Sequence, residues 1–206
     1  MNKQERDILS ALLVEPFINQ RILSEFSGHS LGVVNRSIKN LIKEGYLDDN
    51  IRLTDQAQKE FHEKAPKNAI ILAAGFGMRM VPINTQGPKA LMEINGEPLI
   101  ERTILHLHEV GIRDIYVVVG FMKEQFEYLV GKYGVILVET DEYETKNNHA
   151  SIWAARQYLK NTIITSSDLY FDENIFETYA YDSFYCTVYV SGKTAERGIE
   201  TDDDDR

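Results

Sequence analysis

The sequence predicts a helical domain followed by an α/β domain with a mostly parallel sheet. Three observations lead to this fold class. Helical patterns fill the first 65 residues, the character of the chain changes near residues 65–67, and short β-rich runs then alternate with helical ones. Such alternation is typical of βαβ crossovers, which place helices on both faces of a parallel sheet. The predicted domains are residues 1–65 and 68–206, and the second has three layers.

The first domain shows four helical patterns, listed here by residue number: 4–13, 19–26, 31–44 and 55–63. Apolar residues form one stripe along the first and third of these helices. Asn19, Ser30 and Thr54 stand where N-caps are expected. Two short strands around a polar turn separate the last two helices. This order of elements resembles the winged helix-turn-helix modules of bacterial regulators over residues 3–64.

The third helix of this domain has a polar face that is suited to reading DNA. Asn35, Arg36 and Lys39 lie on that face, with Ser30 at the helix start and Arg52 in the wing. Residues 1–65 hold nine Lys and Arg against ten Asp and Glu, so the net charge neither supports nor opposes DNA binding. DNA binding and a solvated face used for packing or dimerisation both stay open.

The second domain contains the alternating elements. Strands are predicted at residues 69–74, 115–119, 135–139, 162–166 and 184–190, and helices at residues 98–110, 123–132 and 150–159. The first run is continuously apolar, which is typical of a strand covered on both faces. Cys186 falls in the last predicted strand, where we expect it to be buried rather than reactive.

A small-residue loop follows the first of these strands, at the edge where open α/β sheets bind ligands. Its sequence is L-A-A-G-x-G-x-R over residues 72–79. Gly75 and Gly77 would let backbone N–H groups approach a triphosphate closely. Arg79 offers a guanidinium fork for phosphate oxygens, and Lys89 supplies a second cation after the rigid Pro88.

The combined motifs resemble the nucleotidyltransferases that activate sugar phosphates and related alcohols. They are the loop above, the pattern P-x-x-x-x-x-P-K-A-L from Pro82, and a helix start at Pro98. The resemblance implies a three-layer Rossmann-like nucleotidyltransferase domain. It also implies that Ala73, Ala74, Gly75 and Gly77 bind the nucleotide, and that Arg79 and Lys89 are catalytic residues holding its phosphates. The alternative is an ordinary strand and turn carrying a surface arginine and lysine.

A candidate metal ligand stands after the predicted strand at residues 162–166. Asp168 follows an apolar run at the carboxyl end of that strand. The resemblance implies that this aspartate binds Mg²⁺, the expected cofactor. A capping or turn aspartate is the alternative. Asp172 is expected to cap a short helix over residues 173–179.

The run Asn147-Asn148-x-x-Ser151 resembles the bacterial CTP:phosphocholine cytidylyltransferases. The resemblance implies that all three residues bind the nucleotide. CTP or another NTP would be the donor, and phosphocholine or a sugar phosphate the acceptor. Side-chain amides can pair with both the donor and the acceptor edge of cytosine. Capping of the helix that follows is the other role open to the two asparagines.

Composition limits the remaining classes. The net charge is −10, there is one cysteine, and no apolar run reaches the roughly 18 residues of a membrane span. We therefore expect a cytoplasmic protein with no membrane insertion, and a homo-oligomer stays open. The resemblance covers residues 68–190 and its family continues further, so we expect the front portion of a longer enzyme. The rival hypothesis is a DNA-binding regulator that senses a nucleotide through the second domain.

Overall fold

The computed structural model of the chain describes residues 1–17, 19–75, 87–141, 148–180 and 183–187. The helices are α1 (Lys3–Val14), α2 (Gln20–Ser27), α3 (Leu31–Lys43), α4 (Asp55–Lys64), α5 (Leu99–Glu109), α6 (Glu127–Tyr133) and α7 (Asn148–Ala154). The strands are β1 (Asn68–Leu72), β2 (Glu93–Ile94), β3 (Glu97–Pro98), β4 (Ile115–Val119), β5 (Ile136–Glu139) and β6 (Thr162–Ser166). Short 3₁₀ helices lie at Lys89–Leu91, Lys123–Phe126 and Arg156–Tyr158. Within this part of the chain, no helix is long and apolar enough to cross a bilayer.

The first four helices surround one apolar core, as the sequence predicts. Ile8 and Leu9 of α1 pack with Val34 and Leu41 of α3, and all four side chains are fully buried. The predicted pair of short strands is present as a single antiparallel bridge at residues 47 and 53. This arrangement confirms the helical first domain.

The predicted helix caps are present, but they do not all work in the same way. The Asn19 side chain accepts hydrogen bonds from two backbone N–H groups of α2, at 2.9 and 3.0 Å. Thr54 caps α4 by accepting from the Ala57 N–H at 3.4 Å. Ser30 occupies the cap position of α3, yet its side chain makes no capping bond. The Ser30 hydroxyl is therefore not used by the helix that it precedes.

Four parallel strands form the main sheet in the order β5-β4-β1-β6. Ala69 of β1 lies opposite Ile115 of β4 and Ile163 of β6, which places β1 inside the sheet. Strands β2 and β3 form a separate antiparallel hairpin. Because the four strands are parallel, their carboxyl ends meet at one edge of the sheet.

Helices cover both faces of this sheet. On one face, Ile71 of β1 and Val117 of β4 pack against a core that includes Ile104 of α5. On the other face, Ile70 and Val118 pack near Ala155, directly after α7. Successive strand residues point to opposite faces, so both sets are buried. The three-layer α/β arrangement is confirmed.

The predicted strand at residues 184–190 is wrong for the residues that the structure describes there. Residues 184–187 form no regular structure, and residues 188–190 lie outside the described part. Cys186 is exposed, not buried in a strand. A strand needs a neighbour for its backbone groups. Among the described strands, none lies beyond β6 to supply one.

The predicted helix at residues 173–179, with Asp172 as its cap, is also wrong. These residues are irregular. The apolar side chains of Phe176 and Tyr179 pack against two different cores, one in each domain. Their apolar spacing therefore reflects two separate burial sites and not one face of a helix.

Residues 171–180, named here the return segment, lead from the carboxyl end of β6 back to the helical domain. The Tyr179 ring lies edge-on to the Phe61 ring of α4, with the ring centres 5.1 Å apart. The Ala180 N–H donates to the carbonyl oxygen of Lys64, the last residue of α4, at 3.1 Å. The return segment thus fastens the end of β6 to the helical domain.

Candidate functional site

The carboxyl end of β1 holds the first predicted site residues in place by backbone bonds. The Ala73 N–H donates to the Val118 carbonyl at 2.9 Å, and the Ala74 carbonyl accepts from the Phe121 N–H at 3.2 Å. Both alanines are buried. Beyond them, a Cβ built on Gly75 would meet no atom within 4 Å. The strand therefore ends against open space, where a ligand can approach the backbone.

Lys89 and Asp168 meet at this edge, although they are far apart in the sequence. The Lys89 Nζ lies 3.4 Å from Asp168 Oδ2. Lys89 begins a 3₁₀ helix directly after Pro88, and Ala90 beside it is buried in the core. The lysine side chain is 17% exposed and the aspartate side chain 41% exposed. The 3₁₀ helix with its buried Ala90 thus holds the backbone of Lys89 in place, and the ammonium lies beside a carboxylate that is exposed to solvent.

Two serines before Asp168 complete this corner of the site. The Ser166 hydroxyl donates to Asp168 Oδ1. The Ser167 hydroxyl donates to the Leu72 carbonyl at 2.9 Å, which ties the loop after β6 to the end of β1. Sequence reasoning did not assign a role to either serine. Hydroxyl side chains directly before a strand-end aspartate were the available signal.

Only some of the remaining predicted site residues lie in the described part of the chain. Gly77, Arg79 and Asn147 lie outside the described residues. Asn148 is the first residue of α7 and is exposed, while Ser151 is buried one turn further along. The position of Asn148 leaves its amide available for a ligand. Its role and that of Ser151 stay predictions.

The residues at this edge fit a Mg²⁺ ion that is shared with a ligand. Among the described residues, no three His, Cys, Asp or Glu side chains come close enough together to hold a metal ion. Mg²⁺ in nucleotide sites keeps several waters and takes only one or two carboxylates, because substrate phosphates supply the other ligands. Asp168 satisfies that requirement, so it would hold the ion jointly with a bound triphosphate.

A second ion pair lies at the carboxyl ends of β4 and β5. Lys123 contacts the Glu139 carboxylate directly. The hydrogen bond to Glu139 raises the pKa of the Lys123 ammonium, so the lysine stays charged at neutral pH. Because the two charges offset each other, this pair adds no net charge to that edge of the sheet.

The candidate DNA-binding residues lie on the surface of the helical domain. Arg36 and Lys39 of α3 are exposed, and so is Arg52 in the turn before α4. Ser30 is exposed and Asn35 is half-buried. The structure therefore leaves the predicted basic face accessible.

The wing next to that face also carries negative charge. The Asp48 carboxylate accepts hydrogen bonds from the backbone N–H groups of Asn50 and Arg52, at 2.8 and 2.9 Å. Asp49 beside it is exposed. Carboxylates repel DNA phosphates, so the wing contributes less to a DNA-binding surface than α3 does.

The parallel sheet and the Lys89–Asp168 pair define an α/β protein with a cation and a carboxylate together at the carboxyl ends of its strands. Residues 69–182 match the MobA-like NTP transferase domain, and the chain belongs to this family. Residues 1–48 match a winged helix-turn-helix DNA-binding family. The two matches fall on either side of the predicted domain boundary.

The relatives of this chain include several cytidylyltransferases. A choline-phosphate cytidylyltransferase of Streptococcus pneumoniae is 43% identical over 136 residues, covering 66% of this chain and 59% of the relative. A 2-aminoethylphosphonate cytidylyltransferase of Lancefieldella rimae is 45% identical over 140 residues, covering 66% and 57%. The solved CTP:phosphocholine cytidylyltransferase of Streptococcus pneumoniae is 45% identical, with a TM-score of 0.53, over 55% of this chain and 50% of that one. The chain thus spans a little over half the length of the curated relatives it matches.

Proposed function

We propose that the nucleotidyltransferase domain binds CTP and transfers CMP to a small phosphate or phosphonate that carries a cationic amine. The Lys89–Asp168 pair beside the open end of β1 is the observation that carries this proposal. Similarity to cytidylyltransferases supports CTP as the donor. A sugar 1-phosphate is the second class of acceptor to be tested.

The chemistry is an in-line displacement at the α-phosphorus of CTP. An oxygen of the acceptor phosphate or phosphonate attacks that phosphorus, the bond to the bridging oxygen of the β-phosphate breaks, and pyrophosphate leaves. Such a reaction depends on positioning and positive charge more than on a nucleophilic side chain. The Lys89 ammonium would bind the phosphates. The phosphates would approach the backbone at Gly75, where no side chain of the described residues stands in the way.

Asp168 would hold Mg²⁺ at the same place. The ion would neutralise charge that develops on the phosphate oxygens. In the free protein the two oxygens of Asp168 accept from Lys89 and Ser166, which keeps the carboxylate oriented. Lys89 and Asp168 would thus face the bound triphosphate from one corner of the site, the first as its cation and the second as the residue that would hold the metal.

The acceptor class is drawn from two relatives with different substrates. One is a choline-phosphate cytidylyltransferase and the other a 2-aminoethylphosphonate cytidylyltransferase. Both names describe a small phosphorus oxyanion joined by two carbons to a nitrogen cation. We therefore propose this shared chemistry as the acceptor class, with phosphocholine and 2-aminoethylphosphonate as the compounds to compare.

The test is a turnover measurement on the chain with CTP, Mg²⁺ and each acceptor in turn. We expect pyrophosphate and a CDP-linked product with phosphocholine or 2-aminoethylphosphonate, and much less product with glucose 1-phosphate. Lys89→Ala should lower kcat by roughly 100- to 1000-fold, because it removes a positioned cation. Lys160→Ala is the matched control, since Lys160 is exposed and precedes β6, at the opposite end of that strand from the site.

Binding of CTP is measured in parallel, so that the donor half is tested apart from the acceptor. Tight binding of CTP with Mg²⁺ but no turnover with any acceptor would retain the donor assignment and refute transfer by this chain. Failure to bind any of the four common NTPs would refute both.

DNA binding by the helical domain is the second candidate function, and the family match over residues 1–48 favours it. The exposed Arg36 and Lys39 of α3 would contact phosphates or bases. The test is a salt titration of DNA binding by the full chain. Arg36→Ala with Lys39→Ala should weaken binding and reduce its salt dependence. Equal binding by this double variant and the wild type would contradict the assignment.

A further inference from the structure

The loop after Asp168 has no regular structure to hold it. Residues 169–172 follow the end of β6 without joining a helix or strand, and the Leu169 side chain is 45% exposed. Ser167 ties the residues before Asp168 to β1, so the position of the carboxylate also depends on the contacts that hold the residues after it.

Arg102 of α5 holds these residues with two of its three guanidinium nitrogens. Its Nε donates to the Phe171 carbonyl and its Nη2 to the Asp172 carbonyl, both at 2.7 Å. Its guanidinium carbon lies 4.9 Å from the centre of the Tyr170 ring. Arginine is suited to this task because its donors form a rigid planar fork.

The third nitrogen of Arg102 reaches the opposite side of the site. Its Nη1 lies 3.2 Å from Glu97 Oε2. Glu97 lies in β3, the second strand of the hairpin that follows the 3₁₀ helix of Lys89. The hairpin closes where the Leu99 N–H donates to the Met92 carbonyl, one residue after that 3₁₀ helix. Arg102 therefore connects the lysine side of the site to the aspartate side.

Arg102 does not belong to the apolar core of α5. The buried residues of this helix that form the core are Leu99, Ile100, Ile104 and Leu107. The Arg102 side chain is 24% exposed, and within the described part of the chain its guanidinium contacts Glu97 and the loop after Asp168. A substitution at Arg102 should therefore release the loop and leave the core packing in place.

We infer that Arg102 is a positioning residue, which holds Asp168 at the distance from Lys89 that a bound triphosphate and its metal ion require. The role in catalysis rests on the proposed function, but the positioning itself does not. The positioning and the role in catalysis can be measured separately, because the Lys89–Asp168 contact exists in the free protein.

The first measurement is zero-length carbodiimide cross-linking of the free protein, which converts a lysine–carboxylate contact into an amide bond. The yield of the Lys89–Asp168 link is measured against the Lys123–Glu139 link in the same molecule. We expect Arg102→Ala to lower the first yield several-fold and to leave the second unchanged. Arg102→Lys keeps the charge but loses the fork, so it should give an intermediate yield. Arg156→Ala is the matched control, since Arg156 stacks on Trp153 away from the site.

The second measurement is steady-state turnover with CTP. A loosened Asp168 should lower kcat and raise the Mg²⁺ concentration required by roughly 10-fold, with little change in the KM for CTP once Mg²⁺ is saturating. Partial rescue by Arg102→Lys is expected. If Arg102 had a merely structural role, its substitution would lower the amount of folded enzyme and leave the Mg²⁺ requirement of the folded fraction unchanged.

An unchanged Lys89–Asp168 yield in Arg102→Ala would overturn the inference. Loss of both cross-links in Arg102→Ala and in Arg102→Lys would overturn it as well, because the residue would then support the whole fold. A selective loss of the Lys89–Asp168 link with no CTP turnover by the wild-type chain would retain the positioning role and refute the proposed reaction.

Discussion

At the scale of single residues, Asp168 shows how an exposed side chain at the edge of the sheet is oriented. Its two oxygens accept from Ser166 and Lys89, and the side chain remains 41% exposed. An exposed ion pair contributes little to stability. The contacts of Asp168 therefore orient the carboxylate for a ligand more than they stabilise the fold.

This balance predicts the effect of Asp168→Asn. An amide keeps the size of the side chain but removes the charge that attracts Mg²⁺. We expect the affinity for CTP in the presence of Mg²⁺ to fall roughly 10- to 100-fold. The melting temperature should hardly change. Calorimetric titration with CTP, with and without Mg²⁺, measures the effect.

Asp172→Asn is the control for this substitution. Asp172 contributes its backbone carbonyl to the Arg102 contact and is exposed. Its variant should bind CTP as the wild type does. Equal losses in both variants would show that general negative charge, and not the Asp168 position, governs binding.

At the scale of elements, α5 and α6 are joined by a buried carboxylate. Glu101 of α5 accepts from the Tyr128 hydroxyl at 2.8 Å, from Lys132 Nζ at 2.6 Å and from the Tyr133 hydroxyl at 2.5 Å. Burial alone would raise the pKa of Glu101, but the hydrogen bonds from Lys132, Tyr133 and Tyr128 together lower it below its ordinary value of 4.5. The charged form is therefore the one that the fold stabilises.

Glu101→Gln should lower the free energy of unfolding by about 2 kcal/mol at pH 7, since it removes charge-assisted hydrogen bonds from a buried site. The unfolded chain takes up a proton at higher pH than the folded protein does. The advantage of the wild type is therefore complete above the unfolded pKa, and it is lost as pH falls through the lower folded value. Urea unfolding of both proteins between pH 3 and 7 tests this, and a pH-independent difference would contradict it.

The end of α3 gives a second prediction at this scale. Gly45 has φ = +82°, and an added Cβ would lie 3.1 Å from the Gln56 Oε1 atom. Gly45→Ala should cost about 1–3 kcal/mol, because it combines an unfavourable backbone conformation with a close contact. Gly32→Ala, inside α3 with open space around it, should instead stabilise by up to about 1 kcal/mol. Chemical denaturation of the pair measures both signs, and the same sign in both would refute the assignment.

The elements themselves were predictable where burial is continuous. Residues 115–119 were predicted as a strand and are β4, because an uninterrupted apolar run matches a strand covered on both faces. Residues 162–166 were also predicted as a strand and are β6, although this strand is only half-buried. The run at residues 184–187 has similar composition but no partner strand among the described elements, so local composition misled.

The candidate site was predictable only in part. Lys89 and Asp168 follow local motifs and meet as expected at one sheet edge. Arg102 carries no motif, because its partners at residues 171 and 172 are distant in sequence and it binds their backbone carbonyls. Any residue can supply a backbone carbonyl, so no side-chain pattern could have revealed this contact.

At the scale of the whole molecule, the return segment makes the stability of the winged-helix domain depend on the end of the transferase domain. Tyr179 packs half-buried against Phe61 and the other residues of the winged-helix core. Burial raises the pKa of the Tyr179 phenol, and a hydrogen bond with Ser10 opposes this shift. Tyr179 therefore packs with the first domain, although it comes after the strands of the second domain in the sequence.

Tyr179→Ala should destabilise the winged-helix domain by about 1–3 kcal/mol, because it removes buried aromatic area and an edge-on ring contact. Hydrogen exchange should speed up in α1 and α4, while β1 and β4 stay protected. Tyr185→Ala is the control: that side chain is 88% exposed, and its removal should change stability by less than about 0.5 kcal/mol. Equal effects of the two substitutions would show that the return segment does not support the first domain.

The Lys64 carbonyl has a consequence for how this chain can be recombined. It accepts from the Ala180 N–H at 3.1 Å and from the Asn161 amide at 2.7 Å, so the chain departs and returns at one point. The end of the transferase domain thus packs on the winged-helix unit, so the two domains meet there as well as at the boundary that joins them in sequence. A genetic swap that exchanges residues 1–65 alone would leave Tyr179 facing a foreign surface. A working chimera would have to carry the matching end of the return segment along with the new winged helix.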